Sequence, residues 1–360
     1  MPNEIYKKVR EQLDQYSCGF PLTESGVEFR ILERIFTEDE AEMFHCLSLN
    51  LETPEEIALR LGRDPKAVEA LLRRMGEKGN IFTWRRGETA KYGTAPYIMG
   101  LYEFQLNSMD SELAGLCEQY FKEAFLDQMS RITPLMRTIP INRSLESPHL
   151  IATYDDSRKM LESKNIISLA NCVCRTQQNL IGQGCGKPLE ICMSFGANAR
   201  HYIDQGLGRR IGIEEALKAL DIAEEAGCVL QLSNTLNPGG LCCCCGDCCA
   251  ILRSLNRMER PANIVVSNYL AVVSPDLCTG CQICLDRCQM GAITMNDQGL
   301  AQINPDRCLG CGLCVTRCPA EALRLERKPE SRLYVPPANG MEALEWMAGQ
   351  RGKSLNADIS

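Results

Sequence analysis

Twenty-two of the 360 residues are cysteine, and eighteen of these fall in three groups after residue 170. The third group is the most ordered. Cys278, Cys281, Cys284 and Cys288 follow the spacing Cys-x2-Cys-x2-Cys-x3-Cys, and Cys308, Cys311, Cys314 and Cys318 repeat it thirty residues on. The segments around them, 275–293 and 305–323, are identical at nine of nineteen positions. A cubane 4Fe–4S cluster presents four irons, each of which takes one thiolate. Three cysteines two residues apart can curl around three of those corners on one loop. Gly280 and Gly310 allow the tight backbone and leave amides free to point at sulfur. Two zinc sites are the alternative, since four thiolates also suit zinc. A duplicated loop favours clusters.

The first group is Cys172, Cys174, Cys185 and Cys192. One residue separates Cys172 from Cys174, so on an extended strand both lie on one side. The glycines at 182, 184 and 186 can fold Cys185 back toward them, with Arg175 and Lys187 offsetting thiolate charge. The second group is Cys242, Cys243, Cys244, Cys245, Cys248 and Cys249. No packing argument demands six thiols in eight positions, and disulfides between neighbours are strained. Residues 250–253 look helical, which puts Cys248 and Cys249 at a helix N-terminus that favours thiolate. The ten cysteines are therefore expected to hold a further iron–sulfur cluster or zinc. Two cubanes with two spare thiols, one cluster shared between the groups, and one cluster with a redox-active thiol pair all fit. Cys18, Cys46, Cys117 and Cys228 stand alone and read as small buried hydrophobes.

Other catalytic signatures are thin. His45, His149 and His201 are each solitary, and the glycines at 182–186 open no recognisable nucleotide loop. The catalytic residues of any enzyme activity stay unassigned.

The repeat resembles the bacterial dicluster ferredoxins over residues 264–327. In that family the fourth cysteine of each run ligates the other cluster. The resemblance therefore implies one cluster on Cys278, Cys281, Cys284 and Cys318 and a second on Cys308, Cys311, Cys314 and Cys288. It also implies a ββ/αα module, with Leu270–Val273 and Ala301–Ile303 as strands. The fourth cysteine of each run should start a short helix. Cys318 is followed by Pro319, as in the family, but Cys288 is followed by Gln289, which leaves a backbone N–H near sulfur.

Upstream elements must position these groups. Thr37 precedes an acidic first turn. Thr53-Pro54-Glu55-Glu56 and Asp64-Pro65 are further helix starts, with stops at Gly62 and at Gly76 and Gly79. Residues 81–84 and 91–93 read as two strands around a turn. Helix, helix, helix, hairpin over 37–95 resembles the winged-helix domain. The presumed recognition helix, Pro65 to Lys78, carries Lys66, Arg73, Arg74 and Lys78 against Glu69 and Glu77. Residues 1–100 nevertheless hold 14 Lys plus Arg against 17 Asp plus Glu, a net of 14 − 17 = −3. That balance argues against DNA binding.

The expected architecture is α+β. A winged-helix-like domain spans 1–105, a mixed α/β cysteine-rich domain 106–262, a 2[4Fe-4S] ferredoxin domain 263–328, and a tail with a short helix 329–360. The formal charge of −7 speaks against general attraction to nucleic acid. The start MPNEIYKKVR has no apolar signal-peptide core, and no run of about 18 apolar residues occurs. A cytoplasmic protein without membrane insertion is expected, in a compartment where clustered cysteines bind metal. Its layout resembles multi-cluster iron–sulfur proteins of anaerobes. The function expected first is electron transfer between redox partner proteins through two 4Fe–4S clusters and a further site. A reductase with a substrate or partner site in the middle domain and a redox-responsive regulator are the alternatives.

Overall fold

The computed structural model describes residues 2–129, 131–132, 134–141 and 155–355; His149 lies outside them. The chain opens with α1 (Glu4–Gln15), α2 (Val27–Ile35), α3 (Glu38–Cys46), α4 (Pro54–Leu61) and α5 (Pro65–Glu77). Thr37 and Thr53 each close a capping box with the glutamate three residues on, and the Asp64 side chain accepts from Ala67 N. Gly62 ends α4 in the left-handed region, at φ 62°. An antiparallel hairpin follows, β1 (Phe82–Arg86) with β2 (Thr89–Gly93). The order helix, helix, helix, hairpin is thus present, preceded by two helices that carry no sequence punctuation as clear as Thr-Pro-Glu-Glu. Val9, Leu13, Ile31, Phe44 and Leu72 share its core. That core continues through Tyr97, Tyr120 and Phe125 and takes in Ala343 and Met347 of the helix Gly340–Gln350. Arg351, just after that helix, donates to the Asp14 backbone oxygen at 2.6 Å and to the Asp14 carboxylate at 3.3 Å. The last helix therefore returns to the first.

The middle of the chain forms a six-stranded antiparallel sheet. Its strands are β3 (Met136–Thr138), β4 (Ile167–Asn171), β5 (Glu190–Phe195), β6 (Gly208–Ile211), β7 (Val229–Ser233) and β8 (Gly240–Cys244), in the order β3-β7-β8-β5-β4-β6. Alternation along the strands divides it into two faces. Ile167, Leu169, Ile191, Met193, Leu232 and Leu241 face one core with Ala216 and Leu220 of the helix Ile213–Glu225. Cys192 and Ser194 of β5, and Cys242 of β8, lie on the other face.

The third region pairs β9 (Tyr269–Val273) with β12 (Leu323–Arg327), and β10 (Ile293–Met295) with β11 (Ala301–Ile303). The repeat is visible in the backbone. Gly280 and Gly310 have φ 69° and 67°, Gln282 and Gly312 have 65° and 80°, and Gly291 and Glu321 have 57° and 50°. A Cβ on Gly280 would lie 2.5 Å from Gly299 O, and one on Gly310 would lie 2.2 Å from Tyr269 O. Both glycines are thus fixed by a facing backbone carbonyl, in the β10–β11 turn for Gly299 and on β9 for Tyr269. The short helix Ile283–Arg287 ends at Cys288 rather than starting there. Turns follow Cys288 and Cys318, where each sulfur accepts from an amide four residues on, that of Ala292 and of Ala322.

The three regions interlock. Ile141 N donates to Cys311 O at 3.0 Å and Thr138 N to Val266 O at 3.0 Å. Arg287 donates to the carbonyls of Glu224 and Glu225 at the end of a middle-region helix. Among the described residues no helix is long and apolar enough to cross a membrane.

Candidate metal centres

The eight cysteines of the repeat surround two small cavities. Cys278, Cys281, Cys284 and Cys318 line one, together with the Gly280 turn. Cys288, Cys308, Cys311 and Cys314 line the other, which also touches Val229 of the six-stranded sheet. Each set takes three thiols from one loop and its fourth from the other. Repeat-related amides point at sulfur. Ala271 N, on β9, donates to Cys308 at 3.5 Å, and Ala301 N, on β11, donates to Cys278 at 3.4 Å. Each strand thus serves the loop of the other half. The two cavities differ in exposure: Cys281 is open to solvent, whereas Cys308 and Cys314 are buried. Burial pushes the Cys311 thiol up to about 12 and raises Cys284, Cys308 and Cys314. Buried thiols of this kind ionise when a metal supplies the positive charge. Thiol number, glycine cradles and inward amides all fit a cubane.

Residues 277–322 match the family described as 4Fe-4S dicluster domain. This segment is a ferredoxin-type dicluster module. The module supports at least one 4Fe–4S cluster. The match covers that segment alone, and neither the curated proteins nor the solved structures yield a significant match to the chain.

The middle cysteines assemble differently from their order in sequence. Strand β4 ends at Asn171, so Cys172 and Cys174 do not share an extended strand. Cys172 is the N-cap of the helix Val173–Leu180, with its N–H on Leu189 O and its carbonyl accepting from Thr176 N, and Cys174 lies in the first turn. Cys249 is likewise the N-cap of the helix Ala250–Asn256. The thiols then form a chain of neighbours. Cys172 meets Cys174, Cys174 meets Cys249, Cys249 meets Cys244, Cys244 meets Cys242, and Cys242 meets Cys192. Both sequence groups contribute to this set of six. A cavity of about 70 Å³ beside it is lined by nine cysteines.

Cys185 turns away from Cys172 and Cys174. Its sulfur lies 3.7 Å from that of Cys245, and Cys185, Cys245 and Cys248 bring their sulfurs within 4.8 Å of one another. The bend comes from Gly182 and Gly186, both left-handed, with Gln183 N bonded to Gln178 O. Cys243 alternates with Cys242 and Cys244 along β8 and makes no thiol–thiol contact in that chain, though it still lines the cavity. The six thiols of the run thus differ in their nearest neighbours, although all of them line the one sulfur cavity.

Electrostatics favours thiolate at selected positions. Cys245 is held down to about 5 by the neighbouring Cys248 thiol and by the Arg175 guanidinium. Cys249 is held at about 5 by Cys174 and Cys244, and Cys242 lies well below the usual thiol value through Cys192 and Cys244. Arg175 is buried and donates to Cys243 O at 2.7 Å, Pro188 O at 2.8 Å and Cys228 Sγ at 3.3 Å. Cys228 is therefore more than a packing residue: it joins this network beside Cys245. Its position just ahead of β7 gave no such signal in sequence. Lys187 instead binds Ala226 O.

Two further residues hold the site in place. Glu118 is buried, accepts from Arg253 at 2.6 and 2.8 Å, and takes Gln177 at 3.2 Å and Gln178 at 2.7 Å. It thus ties together the two helices whose starts carry Cys174 and Cys249. Gln289, in place of the family's proline, uses its side-chain oxygen to accept from Gly246 N at 2.9 Å, and its backbone oxygen accepts from Asn256 at 3.0 Å. It fastens the dicluster module to the cysteine run. The presumed recognition helix is partly spoken for: Arg74 and Lys78 both bind buried Glu40. The hairpin packs inward at its base, where Thr83 N donates to His201 Nδ1 at 3.1 Å and Phe82 stacks on that ring at 4.8 Å.

Proposed function

We propose that this chain is an iron–sulfur electron-transfer protein that relays electrons through two 4Fe–4S clusters into a third, cysteine-ligated centre. Cys278, Cys281, Cys284 and Cys318 hold the outer cluster, and Cys308, Cys311, Cys314 and Cys288 the inner one. The six-thiol set of Cys172, Cys174, Cys192, Cys242, Cys244 and Cys249 holds the third centre, a further cluster or zinc. Only a cluster there carries the relay onward. Cys185, Cys245 and Cys248 are a second, three-ligand metal position. The observation that supports this order is the contact of Gln289, next to Cys288, with Gly246, between Cys245 and Cys248 of the cysteine run.

Electrons enter at the outer cluster. Exposed Leu277 and Ile283 flank Cys281 there, with Asp276 and Asp286 around them. That surface suits a redox partner with an apolar patch rimmed by basic side chains. The polypeptide supplies burial, amide hydrogen bonds and spacing, and the clusters supply the redox chemistry. The helical N-terminal unit, read in sequence as winged-helix-like, serves here as a wall of the middle site, since its Met99, Tyr102 and Glu103 line the sulfur cavity. DNA binding is not part of the proposal. The test is anaerobic iron and sulfide analysis with paramagnetic resonance during stepwise reduction. Two cubane signals are expected, and a third centre that changes state identifies a cluster there rather than zinc. Zinc in place of iron at the eight repeat cysteines, with no acid-labile sulfide, sinks the reading.

A further inference from the structure

A pocket of about 290 Å³ opens beside the sulfur cavity, close to the lower end of the range of small-molecule sites, about 300–1,000 Å³. The two share five wall residues: Met99, Glu103, Met136, Cys192 and Cys242. Two of these are members of the six-thiol set. An occupant of the pocket thus sits against the third centre.

Three regions build the walls. Leu51, Phe82 and Phe104 come from the N-terminal unit, Ser194 and Gly240 from the sheet, and Leu344 from the returning C-terminal helix. Pockets preferentially form at such junctions. The backbone beside it is unusual. Met99 adopts φ 61° and ψ 41°, in the left-handed region, and Gly100 N is held by the Glu103 carboxyl at 2.8 Å. Non-glycine residues in that conformation cluster at functional sites.

The lining selects the ligand. It is largely aliphatic and aromatic, with hydroxyl and amide groups at Ser194 and Asn198 and no Lys, Arg or His. Glu103 is the one acidic residue in it, and burial pushes its carboxyl up to about 8, so near neutral pH it is uncharged. Phosphates and carboxylates find no counter-ion there, and burying an unpaired anion in such a lining is costly. A neutral, mainly apolar molecule of one or two fused rings is favoured. Because 4Fe–4S clusters deliver single electrons, the occupant has to tolerate a one-electron intermediate. A conjugated dicarbonyl does, and its oxygens can accept hydrogen bonds from Ser194 and Asn198.

We propose that this pocket binds a neutral quinone-type substrate and that the chain reduces it at the third centre. The proposal rests on the relay reading above. In the balanced step two reduced 4Fe–4S clusters each give up one electron. The two carbonyl oxygens each take one proton from solvent, and the quinone leaves as hydroquinone.

The test uses the full-length, cluster-loaded protein, reduced in advance and freed of reductant. It is mixed with 1,4-naphthoquinone or its 2-sulfonate while cluster oxidation is followed optically. The sulfonate is the stronger oxidant, so an open encounter would favour it. The rate should saturate with naphthoquinone and be at least tenfold lower with the sulfonate at equal low concentration. Ser194→Leu, which fills the floor, and Leu344→Trp, which fills the pocket from the half-buried helix at its wall, should each raise the half-saturating concentration at least tenfold with iron content unchanged. Rates linear in both quinones and unaffected by either variant would overturn the pocket and leave the relay standing. A protein whose clusters cannot be reduced at all would overturn the relay, and the proposal with it. Paramagnetic resonance of the reduced protein before mixing tells these two failures apart.

Discussion

In the dicluster module, three cysteines of each cavity sit within seven residues of chain, and the fourth comes from a loop of the same short repeat. In the middle region, the six neighbouring thiols come from a helix start, a strand, a second strand and another helix start, between residues 172 and 249. The first arrangement is local and carries its own cradle: a left-handed glycine, an inward amide and a cysteine repeat every thirty residues. The second depends on a sheet and on Glu118, which is part of no motif. Local ligand sets can form whenever their loop forms. A set spread over four segments forms only with the domain, so a metal held there would stand or fall with the fold.

The largest expected effect separates the two regions outright. Cys311→Ala should remove or convert the inner cluster only, and Cys288→Ser should strike that same cluster although it lies in the other loop. Iron and sulfide counts with paramagnetic resonance check both; loss of the outer cluster on Cys288→Ser would mean that the ligands are not crossed. Replacing Cys172 and Cys174 together by Ser should instead abolish the third centre, leave both ferredoxin-type clusters, and lower the melting temperature. An unchanged metal count and melting curve would show that the six thiols hold nothing.

Glu118→Gln addresses the scaffold of the middle region. Removing one partner of a buried ion pair costs about 3–5 kcal/mol, so denaturant unfolding should shift by about that amount, with easier loss of the third centre to chelators. A spectrum and midpoint like wild type would remove Glu118 from its positioning role.

The contact between hairpin and middle region predicts a pH dependence. Burial lowers the His201 pKa to about 4 from its ordinary 6.5. The unfolded chain therefore binds a proton first. Stability is full above about pH 6.5 and declines as pH falls toward 4, by up to about 3 kcal/mol at 1.36 kcal/mol per unit. In His201→Asn that part of the slope should vanish; urea midpoints at pH 7 and pH 5 measure it. The smallest effect is expected from Gln289→Ala, which loses one hydrogen bond worth about 1 kcal/mol. Its signature is kinetic: slower electron transfer from the inner cluster to the third centre, with both cluster signals intact.

Much of the module was legible because its information is local. The spacing of the eight cysteines, Gly280 and Gly310, and the strand at Ala301–Ile303 can be read from adjacent residues. So can α3, α4 and α5, whose caps and stops at Thr37, Thr53, Gly62 and Asp64 act within one turn. The sequence also carried the composition of the middle site, ten cysteines in two groups. Tertiary structure decided their grouping. Strand alternation left Cys243 out of the chain of neighbouring thiols, helix capping moved Cys174 off the strand, and two left-handed glycines swung Cys185 to Cys245 and Cys248. Cys228, Glu118 and Gln289 gained their roles only from chain-distant partners. A one-dimensional pattern records which side a residue faces along its own element, whereas which elements face each other is set by packing of the whole domain.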